Sequence, residues 1–387
     1  MIKNRTDSCM KKIGLYLHFP FCVQKCRYCD FSSWTGKENL MNAYLSALAK
    51  ELETDQNSKV KAEVSSIFMG GGTPTLFDGE ALAKVLDISI KCFNVETDAE
   101  ISIECNPGTA DIEKLRKLYD SGFNRLSIGL QAWQDHLLDF LGRIHRSGQF
   151  EDTVNWAKKS GFLNISADVI YGIPGQTLDD WMETLEAAVS YDIKHLSAYS
   201  LKVEEGTVFY QWKKQGRFKE MDDDLERQMY HEGIKFLESR GFLQYEISNF
   251  AQPGYESRHN LNYWMNGQYI GCGSGAHSYY NNFRRANIAS IEEYIKRIEN
   301  RESVTAYQEA IDRETEIFET LMLGLRLKAG ISKKAFADRF GFVLEERYSM
   351  EIERLRKQGL LAEDKDSIYP TAKGFDFQNK IALEFLK

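Results

Sequence analysis

Residues 16–31 read YLHFPFCVQKCRYCDF. Cys22, Cys26 and Cys29 stand there in the spacing C-x3-C-x2-C, three thiols within eight residues of a chain that has seven cysteines in all. Iron–sulfur clusters are held by Cys thiolates, and one tight loop can present three of them to three corners of a [4Fe–4S] cube. The fourth corner then takes no ligand from this loop, and an open metal position is where catalytic sites bind a small molecule. A structural zinc site is the competing reading. Zinc of that kind wants four closed ligands, usually two separated C-x2-C pairs or a Cys/His mixture. No second pair exists, and the nearby candidates for a fourth ligand, Cys9 and His18, lack finger-like spacing. Free cysteine is the third reading, although packing does not call for such a density of thiols.

Length and composition bound the rest. A chain of 387 residues suffices for one large domain and a smaller one. Hydrophobic residues at 43% and aromatics at 12% argue against a disordered or fibrous class. The net charge of −8 argues against nucleic acid as the partner. No run of about 18 apolar residues is present, so no spanning helix is expected. The first residues, MIKNRTDSCMKK, lack the apolar core of a secretory signal. An odd number of cysteines, three of them clustered, suits a reducing cytoplasm and a metal site rather than a disulfide framework.

Outward from the cysteine loop, apolar segments alternate with helical patterns. Strands are expected at residues 13–18, 64–69, 100–105, 125–130, 164–170 and 195–201. Amphipathic helices are expected at 40–52, 79–92, 111–121, 134–141, 149–160 and 177–191. Six alternations predict an α/β fold, a partial parallel (βα)6 barrel, with an open doubly wound sheet as the alternative. Unusual polar residues favour the barrel, because chemistry in such folds collects at the C-terminal strand ends. The cysteines follow strand one, and Gly70-Gly71-Gly72-Thr73-Pro74 follows strand two. Glu104 and Asn106 end strand three, Gln131 ends strand four, and Asp168 lies late in strand five.

From about residue 204 the rhythm changes. Asp222-Asp223-Asp224 reads as a helix N-terminus, a helix is expected over 225–240, and GFLQYEISNFA reads as a strand. HNLNYW (259–264) and GCGSGAH (271–277) follow. The last part, with ISKKAFADRFG and LLAEDKDSIYPT, reads as a small α+β, winged-helix-like region. From Asp312 to Lys387 it carries 14 lysines and arginines against 14 aspartates and glutamates, too balanced for a DNA reader. The expected division is 1–203, 204–311 and 312–387.

The cysteine spacing with Tyr28 before the last thiol resembles the radical S-adenosylmethionine (SAM) superfamily. The longer string from Tyr16 resembles its coproporphyrinogen-dehydrogenase-like branch, and within that branch the HemW-like heme chaperones. The resemblance runs from Tyr16 to the C-terminal region. It implies a [4Fe–4S] cluster on Cys22, Cys26 and Cys29, with SAM at its open iron. An electron entering the sulfonium would then yield methionine and a 5′-deoxyadenosyl radical, chemistry that belongs to the cofactors rather than to side chains. Such a pocket needs acceptors for the amine and ribose, donors for the carboxylate, and a slot for adenine. Gly71, Gly72 and Thr73 match the element that meets the amino group. Glu104 and Asp168 supply acceptors, Gln131 and Arg143 supply donors, and Arg143 suits a bidentate carboxylate. The strings IGLQ and LGRIH around Gln131 and Arg143 match the family, and Tyr16 is expected near the cluster-bound end. No side chain is assigned a catalytic role.

Two features set the chain apart from the oxygen-independent coproporphyrinogen III dehydrogenases, the alternative function. Those carry another cysteine two places after the third, where this chain has Phe31, and a long arm before the Tyr16 position. HNLNYW instead resembles the HNxxYW signature of HemW-like proteins, associated there with heme. Neutral imidazole is a good axial ligand, which makes His259 the candidate, and Tyr263 and Trp264 offer flat apolar area. The plain alternative is a buried, hydrogen-bonded histidine among aromatic neighbours. Cys272 and His277 are secondary ligand candidates. The resemblance thus implies a cytoplasmic heme chaperone that hands heme to a client, such as a membrane-bound respiratory protein. Peripheral membrane association and a homodimer would suit that role. Heme degradation by radical SAM chemistry is a third reading.

Overall fold

The computed structural model describes residues 11–54 and 60–386, and Cys9 lies outside them. Six strands and their crossover helices come first: β1 (Lys12–Phe19), α1 (Met41–Leu52), β2 (Glu63–Gly71), α2 (Gly79–Cys92), β3 (Asn94–Cys105) and α3 (Ile112–Asp120). Then follow β4 (Arg125–Gln131), α4 (Asp135–Leu141), α5 (Ser147–Ser160), β5 (Asn164–Tyr171), α6 (Leu178–Ser190) and β6 (His195–Ser200). Neighbouring strands in this run are all parallel. Asp78, Asp111 and Thr177 start their helices by accepting from backbone N–H groups that have no partner inside the helix.

Successive strand residues point to opposite faces. Leu15, Leu17, Leu126, Ile128, Ile165 and Ala167 belong to one buried core with Leu48, Leu82, Leu115, Val154 and Leu185 of the helices. Between them, Tyr16, Arg125, Ser127, Gln131, Asp168 and Tyr199 face inward and line cavities. Tyr16 of β1 and Tyr199 of β6 line the same cavity, so the sheet curls far enough to enclose a lumen. Barrels of this kind usually fill the lumen with branched apolar residues. This one keeps it polar and partly open.

Residues beyond β6 do not close the barrel; they extend both of its edges. α7 (Val208–Lys214) and α8 (Asp223–Ser239) lead to β7 (Leu243–Gln244) and β8 (Asn249–Ala251), and Asp222 caps α8. β7 and β8 form an antiparallel pair at the β6 edge, so GFLQYEISNFA is two short strands turned about Glu246, not one. α9 (Arg258–Trp264) then carries HNLNYW on a helix. β9 (Tyr269–Cys272) joins the β1 edge in parallel, and β10 (His277–Tyr280), β11 (Phe283–Asn287) and β12 (Thr305–Ala310) continue the sheet antiparallel, with α10 (Ile291–Glu299) between the last two. The result is a twelve-stranded sheet.

The C-terminal region holds a second core around Leu321, Phe336, Phe340, Leu355 and Ile381. ISKKAFADRFG supplies the helix Lys333–Phe340, and LLAEDKDSIYPT supplies an antiparallel hairpin of Leu361–Glu363 with Ser367–Pro370. Among the described residues, no helix is long and apolar enough to cross a membrane.

Candidate functional site

The cysteine loop leaves β1 and is pinned from both sides. Cys22 N donates to Trp34 O at 2.9 Å, and Arg27 N donates to Leu141 O at 3.0 Å, tying the loop to the end of α4. Arg27 Nη1 adds a bond to Phe140 O at 2.9 Å. The three thiols line one wall of a cavity of about 300 Å³ at the C-terminal strand ends. Burial pushes the Cys22 thiol up, and that of Cys29 up to about 11. Thiolates held this way want a cation beside them, and metal binding releases their protons. Among the described residues, no three His, Cys, Asp or Glu side chains converge as ligands of a single ion would. Three thiols lining one cavity can meet separate corners of a cluster.

The same cavity is lined by Gly71, Gly72, Thr73, Glu104, Gln131, Arg143 and Asp168, with Tyr28 beside the thiols. Gly71 has φ +112°, and a Cβ there would lie 2.3 Å from the His18 ring. Glycine is therefore required by close packing of β2 on β1, a reason separate from ligand approach. Its N–H donates to Glu104 Oε2 at 3.0 Å. Burial, reinforced by the Asp168 carboxylate, pushes Glu104 up to about 7. Asp168 is raised by burial as well, and accepts from Ser127 Oγ at 3.1 Å. Arg143 donates to Asn106 Oδ1 at 2.5 Å and to Cys26 Sγ at 3.4 Å, so it links the thiols to the β3 end. Gln131 sits at a bulge of β4 with φ +68°, a strained conformation for a residue with a Cβ. A Cβ on Gly129 would meet its amide at 2.7 Å. The donors and acceptors that SAM needs thus share one cavity with the thiols, and the residues fit the cluster and SAM.

Tyr16 and His259 line a second cavity, of about 430 Å³, that shares Phe31, Gly71, Glu104, Ser127, Asp168 and Tyr199 with the first. The Tyr16 hydroxyl lies 2.8 Å from His18 Nδ1. His18 Nε2 donates to Ser32 O at 2.7 Å, which leaves Nδ1 to accept from Tyr16. His259 is 1% exposed, with Nδ1 at 2.9 Å from Ser66 Oγ and Nε2 at 2.9 Å from Tyr263 Oη. Phe68 stacks on its ring at 5.1 Å, and burial lowers it to about 3, so it is neutral. Both nitrogens are engaged. An iron could reach Nε2 only after Tyr263 gives way. His277 also lines this cavity and is exposed, whereas Cys272 is buried and lines neither cavity.

The family model for the Radical SAM superfamily matches residues 16–188, and that for the HemN C-terminal domain matches 311–377. The heme chaperone HemW of Bacillus subtilis is 37% identical over 372 residues, covering 96% of this chain and 98% of its own. That of Haemophilus influenzae is 34% identical over 384 residues, covering 97% and 98%. The chain belongs to the HemW family. Its fold also matches the solved coproporphyrinogen III oxidase HemN of Escherichia coli, with a TM-score of 0.84 at 23% identity over 97% of this chain and 90% of that one.

Sequence reasoning about this HemW-family chain missed Arg125, Ser127, Tyr199 and the structural part of Asn106. The signal was in RLSIGLQ, where Arg125, Ser127, Gly129 and Gln131 alternate with Leu126, Ile128 and Leu130. A parallel strand buried on both faces normally reads as continuous apolar sequence. Polar alternation here marks a wet lumen.

Proposed function

We propose that this chain is a heme chaperone that carries a [4Fe–4S] cluster and SAM and passes heme intact to a client protein. The observation that carries the cofactor part is the single cavity lined by Cys22, Cys26 and Cys29 together with Glu104, Gln131, Arg143 and Asp168. Near-full-length similarity to relatives named heme chaperones supports the cargo. Bound there, the cluster would supply one electron to the SAM sulfonium. The chain's own residues position the pair. Glu104 and Asp168 accept from the amine and ribose, Arg143 and Gln131 meet the carboxylate, and Tyr28 excludes water beside the thiols. Thr73, Gly71 and Gly72 shape the rim. Phe31 is 59% exposed and lines both cavities, where the dehydrogenases would carry a further cysteine. That favours a carrier over coproporphyrinogen oxidation.

Residues 1–203 would form the cofactor barrel, 204–311 the family-specific extension that supplies His259, and 312–387 a docking module. The chaperone would work in the cytoplasm and meet a membrane-bound client at the surface, as a monomer or homodimer. His259 would bind heme iron through Nε2 once Tyr263 swings aside. The test is an anaerobic hemin titration of the cluster-loaded protein, followed at the Soret band. Wild type should bind one heme per chain. His259→Ala should bind more weakly or with a shifted band, and Tyr263→Phe, which frees Nε2, should bind at least as tightly as wild type. An unchanged band in His259→Ala would remove His259 as ligand, and no binding by any form would sink the chaperone reading.

A further inference from the structure

Arg125 opens β4 on its lumen side and is 2% exposed, yet its side chain makes no hydrogen bond and no ion pair within 4 Å among the described residues. Its Nε is buried without a partner. So is Oγ of Ser102, its neighbour in the β3–β4 register. A buried charge left unpaired is among the most costly features a fold can carry. The guanidinium lines the second cavity together with Tyr16, Phe68, Tyr199, Tyr263 and Tyr269. The two lumen carboxylates, Glu104 and Asp168, feel the Arg125 charge through space but form no ion pair with it. Both are raised by burial, and the Arg125 charge offsets that rise only in part. The cavity's 430 Å³ is within the range of small-ligand sites, and its aromatic walls suit a flat ring. A planar fork of N–H donors with nothing to hold, at the end of an aromatic slot, is the complement of a carboxylate on a flat aromatic ligand.

We propose that Arg125 receives a propionate carboxylate of the porphyrin cargo inside the second cavity. The proposal rests on the heme reading and adds the place and orientation of the cargo. The ring would lie among the tyrosines, with one propionate directed down the lumen and the metal left towards the histidine side. SAM also bears a carboxylate, but its donors, Arg143 and Gln131, line the other cavity together with the thiols. Ordered water around the guanidinium is the remaining alternative.

The experiment is a cycle of four affinities, measured on the full-length, cluster-loaded protein. Hemin and hemin dimethyl ester are titrated into wild type and into Arg125→Met. Wild type should prefer the diacid on the order of tenfold or more, the scale of a charged hydrogen bond. Arg125→Met should lose that preference, and Arg125→Lys should keep part of it. The melting temperature of Arg125→Met without hemin should equal or exceed that of wild type, because an unpaired buried charge has been removed; this also checks that the variant folds. Equal preference for the diacid in wild type and Arg125→Met would overturn the proposal while leaving the chaperone reading intact. So would an effect confined to SAM, seen as weakened SAM binding with unchanged hemin binding. Failure of wild type to bind hemin at all would overturn both.

Discussion

Glu104 shows how burial sets chemistry at a single residue. Its carboxyl is raised to about 7 while an unfolded glutamate titrates near 4.3. Between those values the folded chain binds the extra proton, so this group makes the protein less stable as pH rises from about 4.5 to 7. Glu246, also pushed to about 7 by burial, adds to the same slope. In the proposed site SAM would change the balance, since an ionised Glu104 is the better acceptor for its amino group. SAM affinity should therefore rise with pH through about 7, and Glu104→Gln should bind SAM more weakly with a flat profile, as calorimetric titration between pH 6 and 8 would check. An unchanged slope in the variant would place the titrating group elsewhere. Glu104 and the thiols were legible in sequence because their motifs sit at strand ends, and Arg143, which follows α4, because LGRIH matches a family string. Arg125 was not: a charged residue opening a strand reads as a solvated edge, and only the curl of the sheet turns it inward.

At the scale of elements, α9 is where reading from sequence stopped short. HNLNYW was legible as a motif but not as a short helix, because its seven residues have little propensity of their own and depend on tertiary contacts. The structure supplies one. Glu100 of β3, 6% exposed, accepts from Arg258 N at 3.0 Å, His259 N at 3.1 Å and Ser257 Oγ at 3.3 Å. A carboxylate thus anchors the start of the helix, where its dipole is positive. Gly14 leaves room for the His259 ring, since a Cβ there would come within 3.1 Å of it. Glu100→Ala leaves these donors without their acceptor and should cost about 1–3 kcal/mol of stability. Urea denaturation would measure that loss. SAM binding at the far end of the strands should persist. A variant as stable as wild type would mean that α9 is held by its aromatic packing alone.

Over the whole molecule, the parallel six-strand run was legible because strand and helix periodicities alternate so regularly. Of the sheet's extension only the β7–β8 stretch was, read as one strand; strands of four or five residues, such as β9 to β11, carry too little period to register. Those late strands matter for function. β9 and β10 bring Tyr269 and His277 to the lumen, and α9 brings His259 and Tyr263, so the second cavity is built jointly by barrel and extension. The C-terminal region is tied on by Arg227 and His231 to Asp376, and by Arg339 to the carbonyl of Asn266. In the proposed function, the lumen of a cofactor barrel is thus extended into a cargo chamber. Heme transfer tests that most directly. The hemin-loaded protein, mixed anaerobically with excess of a heme-free acceptor, should lose its own Soret band as the acceptor's band appears with the tetrapyrrole intact. A band that stays on the chain, or that bleaches with SAM and reductant, would contradict the chaperone account.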